Sequence, residues 1–239
     1  MALRYLLLQT RNANDPVRQQ EVLCFARALD CPVSAITVSD LLSSAPSRES
    51  LVSHDLVLLG GSGHYSAAGE GEWLERAFEV MREIHRMGRP TFASCWGFQA
   101  MARAMGGQCI NDLQTAELGT IQLALTDAGR EDPVFGQLPR TFTAQAGHED
   151  HVVELPRDAI LLASSKRVPE QAFRFDGLPI YCTQFHSEID RAAMLERVVA
   201  YPEYVERIAQ TSYEILLRGL TETPEANSLL RRFVRHFLR

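Results

Sequence analysis

The sequence lacks most of the features that would assign it to a class at once. No apolar run in its 239 residues approaches the roughly 20 needed to span a bilayer, so no membrane association is expected. Positive charge is not in excess: 24 Lys and Arg against 30 Asp and Glu give a net charge of -6, which argues against nucleic acid as a main partner. No C-x-x-C pair occurs among Cys24, Cys31, Cys95, Cys109 and Cys182, and an odd number of cysteines without a pairing pattern predicts free thiols in a cytoplasmic protein. There is no P-loop. The stretch Gly61-Ser62-Gly63-His64-Tyr65-Ser66 has a serine where a dinucleotide-binding G-x-G-x-x-G needs its third glycine. Neither a nucleotide nor a flavin cofactor is therefore expected. The opening Met-Ala-Leu-Arg-Tyr-Leu-Leu-Leu-Gln has too short an apolar part for a signal peptide and reads as a first strand.

What is present is ordinary globular composition, 46% hydrophobic and 23% charged, enough for one large domain. Apolar runs at residues 3–9, 33–38 and 56–59 alternate with helix-compatible sequence, the pattern of an open, mostly parallel sheet with helices on both faces. Asp15-Pro16 reads as a cap and first helical residue. Leu74, Ala77, Phe78, Met81 and Ile84 mark a helix closed by Gly88-Arg89-Pro90. From Gln108 to Phe185 the runs become short and strand-like, predicting a small strand-rich addition, and from Asp190 onward the pattern is helical. In that last part Val205, Ile208, Ser212, Ile215 and Leu216 are expected on one face. A final helix from Thr223-Pro224 carries Arg231, Arg232, Arg235 and Arg239, read as a solvated basic face. The organisation expected is a main domain over residues 1–190 with a helical extension, 191–239, packed on it.

The chemistry centres on Pro90-Thr-Phe-Ala-Ser-Cys95-Trp-Gly-Phe-Gln99. A buried strand that runs through one cysteine into a helix has the geometry of a nucleophile elbow. The first N–H groups of that helix point at the side chain, can bind an oxyanion, and favour thiolate over thiol. Gly97 is expected where backbone and substrate approach closely. Among seven histidines, His186 ends the apolar strand Tyr181-Cys-Thr-Gln-Phe185, with Glu188 two residues on. In a parallel sheet the C-terminal ends of strands share one edge, so His186 can reach Cys95 while Glu188 fixes its tautomer. A capping histidine in an ordinary loop fits the same spacing. Gly60-Gly61-Ser62, at the end of the preceding strand, is the natural second oxyanion donor, or a plain turn. Gly147-His148-Glu149-Asp150-His151 holds metal-ligand residue types. It lacks the H-E-x-x-H spacing and lies between strands, so it reads as a polar loop facing the site, with no metal expected.

Taken together, Cys95-Trp-Gly97-Phe-Gln99, Gln184-Phe-His186-Ser-Glu188 and Gly60-Gly61 resemble the class I (triad-type) glutamine amidotransferases. Gly147-His148-Glu149-Asp150 and Glu117-Leu-Gly119 resemble the branch of the GMP synthase amidotransferase domain. The resemblance covers about residues 3 to 190. It implies a flavodoxin-like α/β fold and hydrolysis of a γ-glutamyl amide through a Cys95 thioester. His186 would be base and then acid, and Glu188 its orienter. The N–H groups of Gly61 and Trp96 would form the oxyanion hole, and Gly60, Ser62, Gln99, Gly147, His148, Glu149 and Asp150 would hold the glutamyl group. The substrate implied is glutamine, with ammonia passed to a synthetase partner in trans, or a γ-glutamyl peptide or amine. No cofactor is implied. Ala93, Ser94, Trp96 and Ser187 depart from the family pattern without removing a catalytic group. The S-G-G-x-D-S loop of an ATP-pyrophosphatase does not occur. A PfpI-type enzyme would carry its histidine directly after the cysteine, where Trp96 stands. A regulatory module that kept a reactive thiol is the non-enzymatic alternative.

Overall fold

The structure, a computed structural model, describes residues 2–209 and 211–239. The first half alternates: β1 (Tyr5–Gln9), α1 (Val17–Leu29), β2 (Ile36–Asp40), α2 (Arg48–Ser53), β3 (Leu56–Leu59), α3 (Glu72–Met87), β4 (Thr91–Ser94) and α4 (Trp96–Ala104). Then come β5 (Gln108–Asn111), β6 (Glu117–Leu125), α5 (Asp127–Glu131), β7 (Thr141–His148), β8 (Asp150–Glu154), β9 (Ala159–Ser164), β10 (Ala172–Phe175) and β11 (Ile180–Thr183). Helices α6 (Arg191–Ala200), α7 (Tyr213–Gly219), α8 (Pro224–Asn227) and α9 (Leu229–Phe237) follow, with a π-helical turn at Val205–Ala209 between the first two. Among the described residues no helix is long and apolar enough to cross a membrane.

One nine-stranded sheet runs in the order β2-β1-β3-β4-β11-β10-β9-β6-β7. Its first five strands pair in parallel, and the remaining pairings are antiparallel. The strand-rich stretch after Gln108 is thus mostly a continuation of the main sheet. Only β5 and β8 form a separate two-stranded ladder, and β5 has no counterpart among the strands expected.

Every residue of β1, β3, β4 and β11 is buried, because helices cover both faces and leave no room for polar alternation. Successive side chains therefore feed two cores. Leu7, Leu58, Phe92 and Tyr181 join Phe25 of α1 and Leu230 and Phe233 of α9. Leu8, Val57, Ala93 and Cys182 join Phe78 and Met81 of α3 and Met101 of α4. Helix α3 illustrates how the sequence specifies an element. Glu72 and Glu75 in its first turn complement the dipole, the five expected apolar residues face the core, and Gly88 at φ 59° ends it.

Three local expectations are corrected. Pro16 is the cap of helix α1 and Val17 its first residue, with Asp15 Oδ1 accepting the Val17 N–H at 2.8 Å, so the helix begins one residue later than read. Residues Val33–Ala35 form a 3₁₀ turn ahead of β2. The single face expected over 205–216 is broken between the π-helical turn and α7: Ser212 caps α7 by accepting the Ile215 N–H, and Ile215 is 61% exposed. On α9, Arg231 and Arg235 are exposed and Arg232 reaches Ser228 Oγ at 2.7 Å, while Arg239, also exposed, lies past the end of the helix.

Candidate active site

The elbow is held by its neighbours on both sides. β4 lies between β3 and β11, Thr183 O accepts the Cys95 N–H at 2.8 Å, and Gly60 O accepts the Gly97 N–H at 3.1 Å. Cys95 is forced to φ 52°, ψ -106°, a conformation that costs a non-glycine residue roughly 1–3 kcal/mol and persists only where the surroundings impose it. Its Sγ–H faces Gly147 O at 3.7 Å, and the Trp96 N–H is bonded to the sulfur. Gly97 has a different role from the one expected. A Cβ there would lie 2.5 Å from Leu59 Cβ, so the missing side chain lets α4 pack on β3 and does not serve substrate approach.

His186 is tied to the sheet beyond β11, its N–H donating to Gln145 O at 2.9 Å in an isolated bridge. Its Nδ1 lies 2.6 Å from Glu188 Oε1, and both side chains are buried. Nδ1 is thereby the donor, which leaves Nε2 free to accept a proton. Gly61 separates the cysteine and the histidine: a Cβ placed on it would lie 3.0 Å from His186 Cε1 and 3.7 Å from Cys95 Cβ. Burial pushes His186 below its ordinary 6.5 despite the attraction of Glu188. Burial acts in the opposite sense on Glu188, yet the interaction with His186 holds it below the usual carboxylate value. Burial also pushes the Cys95 thiol up to about 12, with the Glu188 charge adding to the effect. Burial thus favours the neutral thiol and the neutral imidazole, and opposes the preference of the helix terminus for a thiolate.

Of the expected oxyanion donors, the Trp96 N–H is directed at the sulfur, whereas the Gly61 N–H donates to Glu21 Oε1 at 3.1 Å. Gly60 packs against the same Glu21 carboxylate and lines neither chamber at the site. Ser62 Oγ accepts the Tyr65 N–H at 2.9 Å. Gln99 is buried, donating to Asp150 O at 2.7 Å and Gln184 Oε1 at 3.2 Å.

The expected 147–150 loop is instead a tight strand junction: Gly147 and His148 end β7, Asp150 begins β8, and only Glu149 lies between them. His148 is fully engaged, with Nδ1 3.0 Å from Asp150 O and Nε2 3.1 Å from Glu117 Oε2. The Asp150 carboxylate accepts from Ser66 Oγ at 2.6 Å, Ala67 N at 2.9 Å and Asn111 Nδ2 at 2.8 Å. Both residues are thus committed to shaping the wall. Glu149 pairs with Arg207.

Two chambers meet at Cys95. The larger, about 250 Å³, runs between Ser62–Ser66, Gln99 and the 147–150 junction under Glu203, Tyr204 and Arg207. The smaller, about 30 Å³, lies on the His186 side against Arg11, Leu118, Met194, Arg197 and Tyr201. Several of these residues were not anticipated. Arg11 sits buried behind the site, paired with Glu21 at 3.0 Å and Asp15 at 3.2 Å and bonded to Tyr201 Oη at 3.1 Å. Its place just beyond β1, at the edge where Cys95 and His186 lie, was a readable signal. Arg197, Tyr201, Tyr204 and Arg207 come from the helical extension, where their spacing is that of any amphipathic surface helix.

Comparison with known proteins agrees with this geometry. The family model described as "Glutamine amidotransferase class-I" matches residues 23–199. Gamma-glutamyl peptidase 3 of Arabidopsis thaliana is 29% identical over 156 residues, 64% of this chain and 62% of the relative. A glutamine-hydrolyzing GMP synthase subunit of Thermococcus kodakarensis is 35% identical over 110 residues, 46% of this chain and 56% of the relative. The matched stretches thus span less than two thirds of either relative. Among solved structures, a glutamine amidotransferase from Thermotoga maritima superposes with a TM-score of 0.79 at 21% identity, covering 99% of this chain and 98% of the other. One from Methylobacillus flagellatus gives 0.76 at 18%, covering 99% and 95%. With an elbow cysteine on such a sheet and a family match running from helix α1 through helix α6, the chain belongs to the class-I glutamine amidotransferase family.

Proposed function

We propose that this protein hydrolyses the γ-amide bond of a small γ-glutamyl compound through a Cys95 thioester. The observation that carries the reading is that a strained Cys95 beyond β4 and the Glu188-bonded His186 beyond the adjacent β11 line one small chamber, with a second chamber of about 250 Å³ opening at the same cysteine. The larger chamber holds the glutamyl group, with its carbonyl carbon over the sulfur. His186 Nε2 takes the thiol proton as the Cys95 sulfur attacks, and Glu188 supports the imidazolium that forms. The carbonyl oxygen becomes an oxyanion beside the Trp96 N–H. Gly61 contributes the second donor once its N–H exchanges the Glu21 carboxylate for the oxyanion. As the intermediate collapses, His186 returns the proton to the leaving nitrogen, and the C–N bond breaks. Water then attacks the thioester, gives a proton to His186, and releases glutamate and the thiol.

Relatives named as γ-glutamyl peptidases and as GMP synthase subunits support γ-amide hydrolysis in general. With glutamine as substrate the product ammonia would serve a synthetase partner in trans. The test is glutamate release from glutamine, γ-glutamyl amino acids and γ-glutamyl alkylamines, with Cys95→Ala and His186→Ala as controls. At least one class is expected to turn over, with a loss on the order of a thousandfold or more in both variants. Release that survives both substitutions would remove the thioester mechanism.

A further inference from the structure

The smaller chamber contains an unusual cation. Arg197 of α6 is 8% exposed. Its Nε donates to Gln20 Oε1 at 2.9 Å, its Nη2 has no partner, and it forms no ion pair among the described residues. Arg11, the other arginine of the chamber, has Asp15 and Glu21 for counter-charges. A buried guanidinium with no carboxylate in contact is costly, so the fold carries a site that an anion would complete. Its charge is felt at the reaction centre, where it acts on Cys95 and Glu188.

Geometry defines what that anion is attached to. The glutamyl group fills the larger chamber, so the substituent on the leaving nitrogen must point to the side from which His186 protonates it. That side is the smaller chamber. Its volume of about 30 Å³ is room for about two water molecules, or for one carboxylate and little more. Leu118, Met194 and Val198 give it an apolar flank.

Building on the hydrolysis at Cys95 proposed above, we infer that the smaller chamber receives the α-carboxylate of the leaving amine, with Arg197 as its partner, and that the preferred substrates are γ-glutamyl amino acids with small side chains. In such a compound the carboxylate sits on the carbon next to the scissile nitrogen, within reach of a guanidinium lining the same chamber as Cys95. Glutamine and simple γ-glutamyl amines leave that guanidinium unpaired. Arg197 is a specificity residue in this scheme and takes no part in proton transfer.

The experiment compares γ-glutamylglycine with γ-glutamylglycinamide, which differ only in the carboxylate. The wild-type protein is expected to favour the acid in kcat/KM by about tenfold or more, the scale of a charge-assisted bidentate contact. Arg197→Gln should bring the ratio close to one, and Arg197→Lys, which keeps the charge without the fork, should restore part of it. Because the readout is a ratio within one protein, a general loss of folding or activity cancels. A wild-type ratio near one overturns the inference. So does a preference that persists in Arg197→Gln, including the case where both substrates slow equally because Arg197 serves only as a counter-charge to Glu188. If neither compound is hydrolysed, calorimetric titration of Cys95→Ala with the same pair decides the carboxylate site, while glutamate release from glutamine decides the thioester reading separately. Tighter binding of the acid, lost in Cys95→Ala/Arg197→Gln, supports the site, and equal binding overturns it.

Discussion

Cys95 is a strained residue whose burial opposes ionisation of its thiol. Burial raises the thiol to about 12 and lowers His186, so in the proposed reaction proton transfer is expected to accompany attack. The sign of the pH dependence follows. The competent form has neutral His186, and burial extends that form below pH 6.5, so the acid limb of kcat/KM is expected below 6.5. Without substrate, alkylation of Cys95 by iodoacetamide is expected to climb with pH through about 10 with no plateau near neutrality. A plateau near pH 7 would instead identify a thiolate–imidazolium pair and reverse the assignment. The residue types at 95, 186 and 188 were legible in the sequence because their spacing and the strand ends before them are. The charge state of the thiol was not. It depends on how completely β3, β11 and the helical extension exclude water, and no local pattern records that.

At the scale of elements, the elbow works because α4 starts close against β3. Adding a methyl at Gly97 places a carbon 2.5 Å from Leu59 Cβ, so Gly97→Ala must push the helix off the strand. An overpacking cost of about 1–3 kcal/mol is expected. For a chain of this size that lowers the Tm by about 2–12 °C. Activity should fall as well, because the same helix carries the Trp96 N–H. Gly219→Ala is the control: its Cβ would meet nothing within 4 Å, and differential scanning calorimetry should show little change.

Strands β1, β3 and β4 and helix α3 could be read in advance because continuous apolar runs and 3.6-residue periodicity are strong signals. Strand β5 and the beginning of β6 could not. Their burial alternates irregularly, with exposed Gln108 and Asn111 and a buried Glu117 that is satisfied by His148 and by Gln171 Nε2 at 2.6 Å.

At the scale of the molecule, the site draws on nearly the whole chain. Arg11 lies beyond the first strand, the sulfur beyond the fourth, the imidazole beyond the last, and Arg197 to Arg207 in the helices that follow. From sequence, residues 191–239 read as packing alone, since nothing in an amphipathic helix distinguishes an arginine turned inward from one on the surface.

The pairing of β4 with β11 has a kinetic consequence. These neighbours in space are far apart in the chain, and six strands, β5 to β10, intervene in sequence. A nascent or refolding chain can complete β1, β3, β4 and the elbow from local units well before β11 arrives. During that interval the thiol would be present without its partner imidazole and without its cover. Pulse labelling of thiols during refolding should therefore show Cys95 becoming protected in the slowest phase, together with the return of activity, while Cys109 of β5, paired with Val152 of β8 and packed with Met101 of α4, is protected earlier. Simultaneous protection of both cysteines would mean that the sheet closes in a single step.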